Sequence, residues 1–319
     1  CPSRRPLVLS RSMRGSPSTS TLFSRQRRLL QLLDALGGTV GMVDFQKLLF
    51  LYCQESSSNA PPYDFVPYKL GAFSFSSYAD RRKLIERGFL EDDDSWRLTS
   101  EGRAVVRRNP DTQLVSFARR HRDLHGDALV ADTYRRYPFF ATRSEIAQRV
   151  LEGDDAALAR IDALRNDATG PALSTIGYEG HTLESYLTLL LRNGVTLLCD
   201  VRRNPISRKY GFSKTTLARG CEGVGVRYHH LPTLGIASEQ RQSLDTQADY
   251  DALFAEYESS WLPKQCDTLE EIQHWIKGGE RVTLTCYEHQ PSQCHRHCVA
   301  EALEARTAKA RRRLTAKHL

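Results

Sequence analysis

Three things are missing from this 319-residue sequence: a long apolar run, acid at its ends, and a glycine loop of the kind that cradles phosphates. No run approaches the ~20 consecutive apolar residues that cross a bilayer, so no membrane span and no membrane partner is expected. Residues 1–28 are rich in Arg and Ser but contain no continuous apolar stretch, which argues against a secretory signal. Without a G-x-G-x-x-G or Walker-type loop, dinucleotide and nucleoside-triphosphate chemistry lack their usual anchor, and no cofactor is expected. The sequence opens on Cys1 rather than Met, which points to an unusual start codon, a fragment or a processed form, with Met13 as a candidate start.

Acid is missing from both ends. Residues 1–28 carry seven Arg, residues 305–319 carry six Arg or Lys, and neither segment contains Asp or Glu; within a formal charge of +7 the body between them therefore nets −6. Basic arms on a mildly acidic body suit attraction to a phosphate backbone, or serve as solubilising tails. The eight cysteines, at 1, 53, 199, 221, 266, 286, 294 and 298, are too unevenly spaced for a disulfide framework. Several lie in apolar runs, as expected of buried thiols in a reducing cytoplasm.

Along the chain, residues 1–24 read as a disordered basic tail. Apolar residues at helical spacing (Leu29, Leu30, Leu32, Leu33, Leu36) stop at Gly37-Gly38, and a second helix follows over 43–54. Residues 63–72 read as extended and 76–88 as a charged third helix. Phe89-Leu90, the acidic turn 91–94 and 96–99 read as a two-stranded wing, so 25–103 has the pattern of a winged helix-turn-helix recognition domain. Residues 104–170 read as a helical connector and 306–319 as a second basic tail.

From 171 to 305 strands and helices alternate. Apolar runs at 173–178, 195–201, 226–231 and 281–287 are separated by helical stretches at 183–193, 214–220, 250–261 and 269–278, and a last helix is expected over 294–310. That spacing predicts an α/β, Rossmann-like, mostly parallel sheet with helices on both faces. In such sheets ligands bind at the C-terminal ends of the strands. The first strand delivers Tyr178 and Glu179, the second Asp200, Arg202 and Arg203. The last delivers Cys286, Tyr287 and Glu288, followed by Cys294, His295 and Arg296 at a helix start. Polar and ionisable side chains at the ends of apolar strands are poor packing choices and so mark a site.

Two resemblances follow from these motifs. FQKLLFL, YDFVPYKLGAFS and the helix ending in GFL make the N-terminal half resemble SocA-like (Panacea) antitoxin domains, which implies a recognition module. TIGY, then DVRRNPISRKYGFSK, then HLPTLG, then CHR, in that order over 173–305, make the C-terminal half resemble the family of domain of unknown function 488. That resemblance implies a Rossmann-like fold and a link to DNA through glycosylases that excise modified bases in phage defence.

Breaking an N-glycosidic bond passes through an oxocarbenium-like sugar that a carboxylate stabilises while it positions water. Asp200 is the first candidate, with Glu179 and Glu288 behind it. A base drawn out of the stack needs a ring, for which Tyr178, Tyr210 or Phe212 would serve. Arg202, Arg203, Arg208, Lys209 and Lys214 would grip flanking phosphates, and the helix start near Cys294 with Arg296 would face an anion. The expected partner is double-stranded DNA carrying modified bases; the oligomeric state is left open.

The alternatives are specific. Asp200 would instead be an ion-pair partner of Arg202 or Arg296. Cys286, Cys294 and Cys298 with His289, His295 and His297 form a dense cluster, but Cys294 and Cys298 are at a helical spacing and no second tight pair exists, so no metal is assigned. Cys294 would be a thiolate nucleophile if a helix start and an Arg lowered its pKa. Cys199 and Cys298 read as structural, and His229 and His230 as loop-shaping. At the level of function, the competitors are a non-catalytic DNA- or partner-binding regulator of toxin–antitoxin type and a hydrolase of small nucleosides or nucleotides.

Overall fold

A computed structural model describes residues 22–56, 61–107, 111–241, 244–307 and 314–319. The expected tail at 1–24 lies almost wholly outside these residues. The N-terminal part runs α1 (Ser24–Ala35), β1 (Thr39–Gly41), α2 (Met42–Glu55), β2 (Val66–Tyr68), β3 (Gly71–Phe73), α3 (Phe75–Glu86), β4 (Ser95–Arg97) and α4 (Ser100–Val106). α1 buries Leu29, Leu30, Leu32 and Leu33 on one face, and the glycines after it adopt positive φ, which ends the helix.

The wing differs from expectation. Phe89–Thr99 forms a single bridge, Leu90 to Leu98, and β4 pairs antiparallel with β1 instead. The acidic turn at 91–94 is too short of pairing residues on its first side to hold a ladder of its own. Residues 63–72, expected as one extended segment, fold back as the β2–β3 hairpin around Gly71 at φ 91.

α5 (Thr112–Arg120), α6 (Gly126–Arg136), α7 (Ala147–Val150) and α8 (Asp155–Ala163) follow. Rather than bridging two bodies, α5 and α6 add Leu114, Phe117 and Leu129 to the same core as Phe45, Phe50 and Trp96. Their apolar stripes need a surface to cover, and α1 and α2 supply it.

The C-terminal half alternates β5 (Ala172–Gly177), α9 (Leu183–Arg192), β6 (Leu197–Asp200), α10 (Lys214–Gly223), β7 (Arg227–His230), α11 (Gln247–Glu256), α12 (Cys266–Lys277), β8 (Arg281–Cys286), α13 (Arg296–Thr307) and β9 (Lys317–His318). All five strands are parallel, in the order β7-β6-β8-β5-β9. The sheet is covered on both faces. Ile176 and Leu198 pack with α9 and α10, while Leu197, Cys199, Val282 and Leu284 pack with α12 and α13. Burial on both faces explains the near-continuous apolar strands.

Two ends differ from the sequence reading. The last helix begins at Arg296, because Pro291 opens a single tight turn and Cys294 is then extended. Part of the expected tail at 306–319 is structured: Lys317 and His318 pair with Ser174 and Thr175 at the sheet edge.

The two halves share a buried junction. Glu184, in the first turn of α9, is fully buried and accepts hydrogen bonds from the Ser76 backbone N–H at 2.7 Å, the Ser74 hydroxyl at 3.2 Å and the Ser76 hydroxyl at 3.1 Å. The Thr182 hydroxyl donates to Asp64, and Val66 joins the core around α9. A carboxyl placed at the start of α3 meets its unpaired N–H groups and the positive end of its dipole.

Candidate functional site

β8 lies between β5 and β6, so the three strand ends picked out by sequence become neighbours. The Tyr178 N–H donates to Cys286 O at 3.2 Å and the Val201 N–H to Thr285 O at 3.1 Å. Gly177 is required at the end of β5, because a Cβ there would collide with the Glu288 carbonyl. Gly235 is required for the same reason against the Arg202–Arg203 backbone.

Asp200 is completely buried. Its Oδ1 accepts from Arg202 Nε at 2.8 Å and from the Arg202 N–H, and its Oδ2 accepts from Arg202 Nη2 at 2.5 Å and from the Tyr228 hydroxyl at 2.6 Å. Of the two roles open to Asp200, the geometry is that of the ion pair, with Arg202 as partner. Arg202 in turn uses Nη1 on the Tyr178 hydroxyl at 3.1 Å and on Phe212 O at 2.8 Å. Burial opposes the Arg202 charge, but the Asp200 bonds outweigh it and raise its pKa further. Tyr178 stacks on Phe212 with centroids 4.4 Å apart and planes 8° apart, and both rings are buried. They form a finished wall. Neither face of that pair is free to receive a base.

The exposed members of the predicted set lie around this wall. Tyr287 meets Tyr178 edge-on at 5.2 Å and is 45% exposed. Glu179 is exposed, with Oε2 accepting the His289 N–H at 2.9 Å. Arg203 and Arg208 are exposed; Lys209 donates to Tyr178 O, and Lys214 lies 3.2 Å from His230 Nδ1. His230 Nε2 bonds Arg202 O at 2.9 Å, which supports its loop-shaping role. The Tyr210 hydroxyl donates to Phe75 O and lies near Arg82, so the loop between Arg202 and Lys214 reaches the start of α3 through this side chain.

A second group converges at the end of β8. Cys286, Cys294 and His295 are buried, and their ligand atoms lie within 4.8 Å of one another. Cys286 Sγ is 3.4 Å from Glu288 Oε2 and 4.0 Å from His295 Nδ1, while His295 Nε2 bonds Val201 O at 3.0 Å. Arg241 pairs with Glu288. Burial opposes ionisation of Cys294, yet the hydrogen bonds from Cys286 and His295 and the Arg296 charge bring its thiol well below the usual value. Cys286, donating to Cys294 and buried, is pushed well above. Burial raises the Glu288 carboxyl, against the pull of Arg241.

Arg296 is almost fully buried and faces no anion-binding opening. It clamps the loop instead, donating to Glu288 O, His289 O at 2.9 Å and Thr175 Oγ1. All seven described cysteines are free, and among the described residues no helix is long and apolar enough to cross a membrane.

Sequence reasoning missed Tyr228 and Arg241. Strand alternation carried a signal for Tyr228, which shares a face with His230 two residues on. Arg241 comes from a loop 47 positions from Glu288 and carries no local signal.

Residues 182–303 match the family model described as Domain of unknown function DUF488. The match is narrower than the motif resemblance and leaves Tyr178 and Glu179 outside it. No curated protein and no solved structure matches the chain.

Proposed function

We propose that a chain carrying this DUF488 segment acts on double-stranded DNA and breaks the N-glycosidic bond of a modified base, leaving an abasic site. One observation carries the reading: Tyr210, in the loop that follows β6, bonds the backbone at the start of α3 and lies near Arg82, so exposed cations of both halves come together there. Arg203 and Arg208 come from the C-terminal half, Arg82 and Lys83 from α3, and Tyr210 joins them. Phosphate contacts of this kind hold and orient a duplex. The helical N-terminal part then acts as the winged-helix-like recognition module.

Within the site, the exposed carboxylate is Glu179. It stabilises the oxocarbenium-like sugar and positions water, while Tyr287, half exposed at the rim, stacks on the extruded base. Asp200 holds Arg202, and through it Tyr178 and Phe212, in place. Free buried thiols suit a reducing compartment such as the cytoplasm, and defence against phage DNA is a fitting context.

The test is incubation of purified protein with duplexes carrying modified or unmodified bases, followed by alkali to cleave abasic sites. Cleavage of a modified duplex, lost in Glu179→Gln, is expected. Arg208→Glu should weaken binding and lower the salt slope by about one unit. A chain that binds DNA tightly but never yields abasic sites would be the regulator of the competing reading.

A further inference from the structure

We propose that Cys286, Cys294 and His295 hold a zinc ion at the end of β8, with Glu288 beside the remaining coordination position. The proposal goes beyond the glycosidic reading and does not depend on it. Two sulfurs and one ring nitrogen meet within 4.8 Å, with Cys286 Sγ 4.0 Å from His295 Nδ1. A tetrahedral zinc with bonds of about 2.3 Å to sulfur and about 2.0 Å to nitrogen sets those ligand atoms about 3.6 Å apart. The trio needs only a small contraction to close on the ion.

The ring orientation is the second observation. The Val201 carbonyl can only accept, so His295 Nε2 is the protonated nitrogen and Nδ1 faces the two sulfurs. Zinc-bound histidines are fixed in this way, the outer N–H donating to a carbonyl or carboxylate.

The scaffold around the trio is tied down by hydrogen bonds. Cys286 is the last residue of β8, Cys294 is extended just before α13, and the loop between them is held by Arg296 through the Glu288 and His289 carbonyls. Treated as small buried hydrophobes, the thiols would explain none of the polar groups that converge on them: an imidazole, a carboxyl and the guanidinium of Arg241. Thiolate and imidazole donors select zinc over magnesium or calcium, which take oxygen. Zinc takes four donors, and Glu288, whose Oε2 lies 3.4 Å from Cys286 Sγ, is the carboxyl nearest the fourth position.

A neighbouring trio, Glu258, His297 and Cys298, is less suited. Glu258 is exposed and His297 only half-buried, so water competes for those positions, whereas all three members of the first trio are buried.

The experiment measures metal in the full chain, by elemental mass spectrometry of the purified protein and by cobalt substitution under reducing conditions. About one equivalent of zinc per chain is expected, and cobalt should give thiolate charge-transfer absorption and intense visible bands of a tetrahedral site. Cys286→Ser and His295→Gln should each lose more than about tenfold in affinity, whereas Cys298→Ser should bind as the wild type does. The wild-type cobalt spectrum needs no variant to fold. A reduced wild-type chain that carries no zinc and develops no thiolate–cobalt band overturns the proposal. So does metal that survives Cys286→Ser and His295→Gln but leaves with Cys298→Ser. Because every readout is the metal itself, failure here is separate from failure of the DNA reading.

Discussion

Asp200→Asn is the substitution that best separates a group that does chemistry from one that holds structure. Asp200 is wholly buried and Arg202 is 6% exposed, and the pair is bidentate. Asparagine keeps the shape but removes the charge, and its amide places a donor against either Arg202 or the Tyr228 hydroxyl. The guanidinium stays buried without its anion. Breaking such a pair from one side costs about 3–5 kcal/mol. At about 2–4 °C per kcal/mol for a body of this size, the thermal midpoint should fall by roughly 6–20 °C. Asp200→Leu combined with Arg202→Met removes both charges and should recover most of that loss, since paired replacement by apolar groups is often neutral. Urea and thermal unfolding of the wild type, the single and the double variant give the numbers. Wild-type stability in Asp200→Asn, together with complete loss of base release, would refute the positioning role and return Asp200 to the chemistry.

Two further predictions concern buried ionisable groups in and near the N-terminal core. Burial raises the Glu184 carboxyl, so the folded state holds the proton more tightly than the unfolded one. Its contribution to stability is therefore full below the ordinary glutamate pKa and lost as pH rises through the raised value. Glu184→Gln keeps an acceptor for the Ser76 N–H and should flatten that part of the plot of thermal midpoint against pH; superimposable profiles would count against it. Lys47 is nearly fully buried, donates to Ala72 O at 3.0 Å, and burial lowers its pKa to about 7. The unfolded chain then binds the extra proton between about 7 and the ordinary lysine value, so stability attributable to Lys47 rises with pH across that window. Lys47→Met should raise the midpoint at pH 6 and gain progressively less toward pH 10. A lower midpoint at pH 6 would show that the Ala72 bond outweighs the burial of charge.

The parallel sheet was legible because strand-like runs such as Val195–Val201 and Arg281–Tyr287 alternate with helical stretches at βαβ spacing. The strand-end rule points to Tyr178, Asp200 and Cys286 from sequence, and β8 does set them side by side. What the residues could not show was which of them remain open. Asp200 and Glu179 look alike in sequence, yet one is sealed by Arg202 and Tyr228 and the other faces solvent. β9 was illegible because two residues in a basic stretch carry no periodicity, and pairing with β5 alone makes them a strand. Cys294 was placed on a helix because its neighbours are helical in pattern; Pro291 delays the start.

The Glu184 junction also bears on how the two halves can be recombined. A carboxyl sealed beneath Ser74 and Ser76 is tolerable only while those hydroxyls and the Ser76 N–H are there to meet it. Moving the C-terminal half onto a different N-terminal half would strand that group unless the new half brought equivalent donors, or the glutamate changed with it. The halves are therefore not interchangeable parts: they are joined by a lock that must be inherited together.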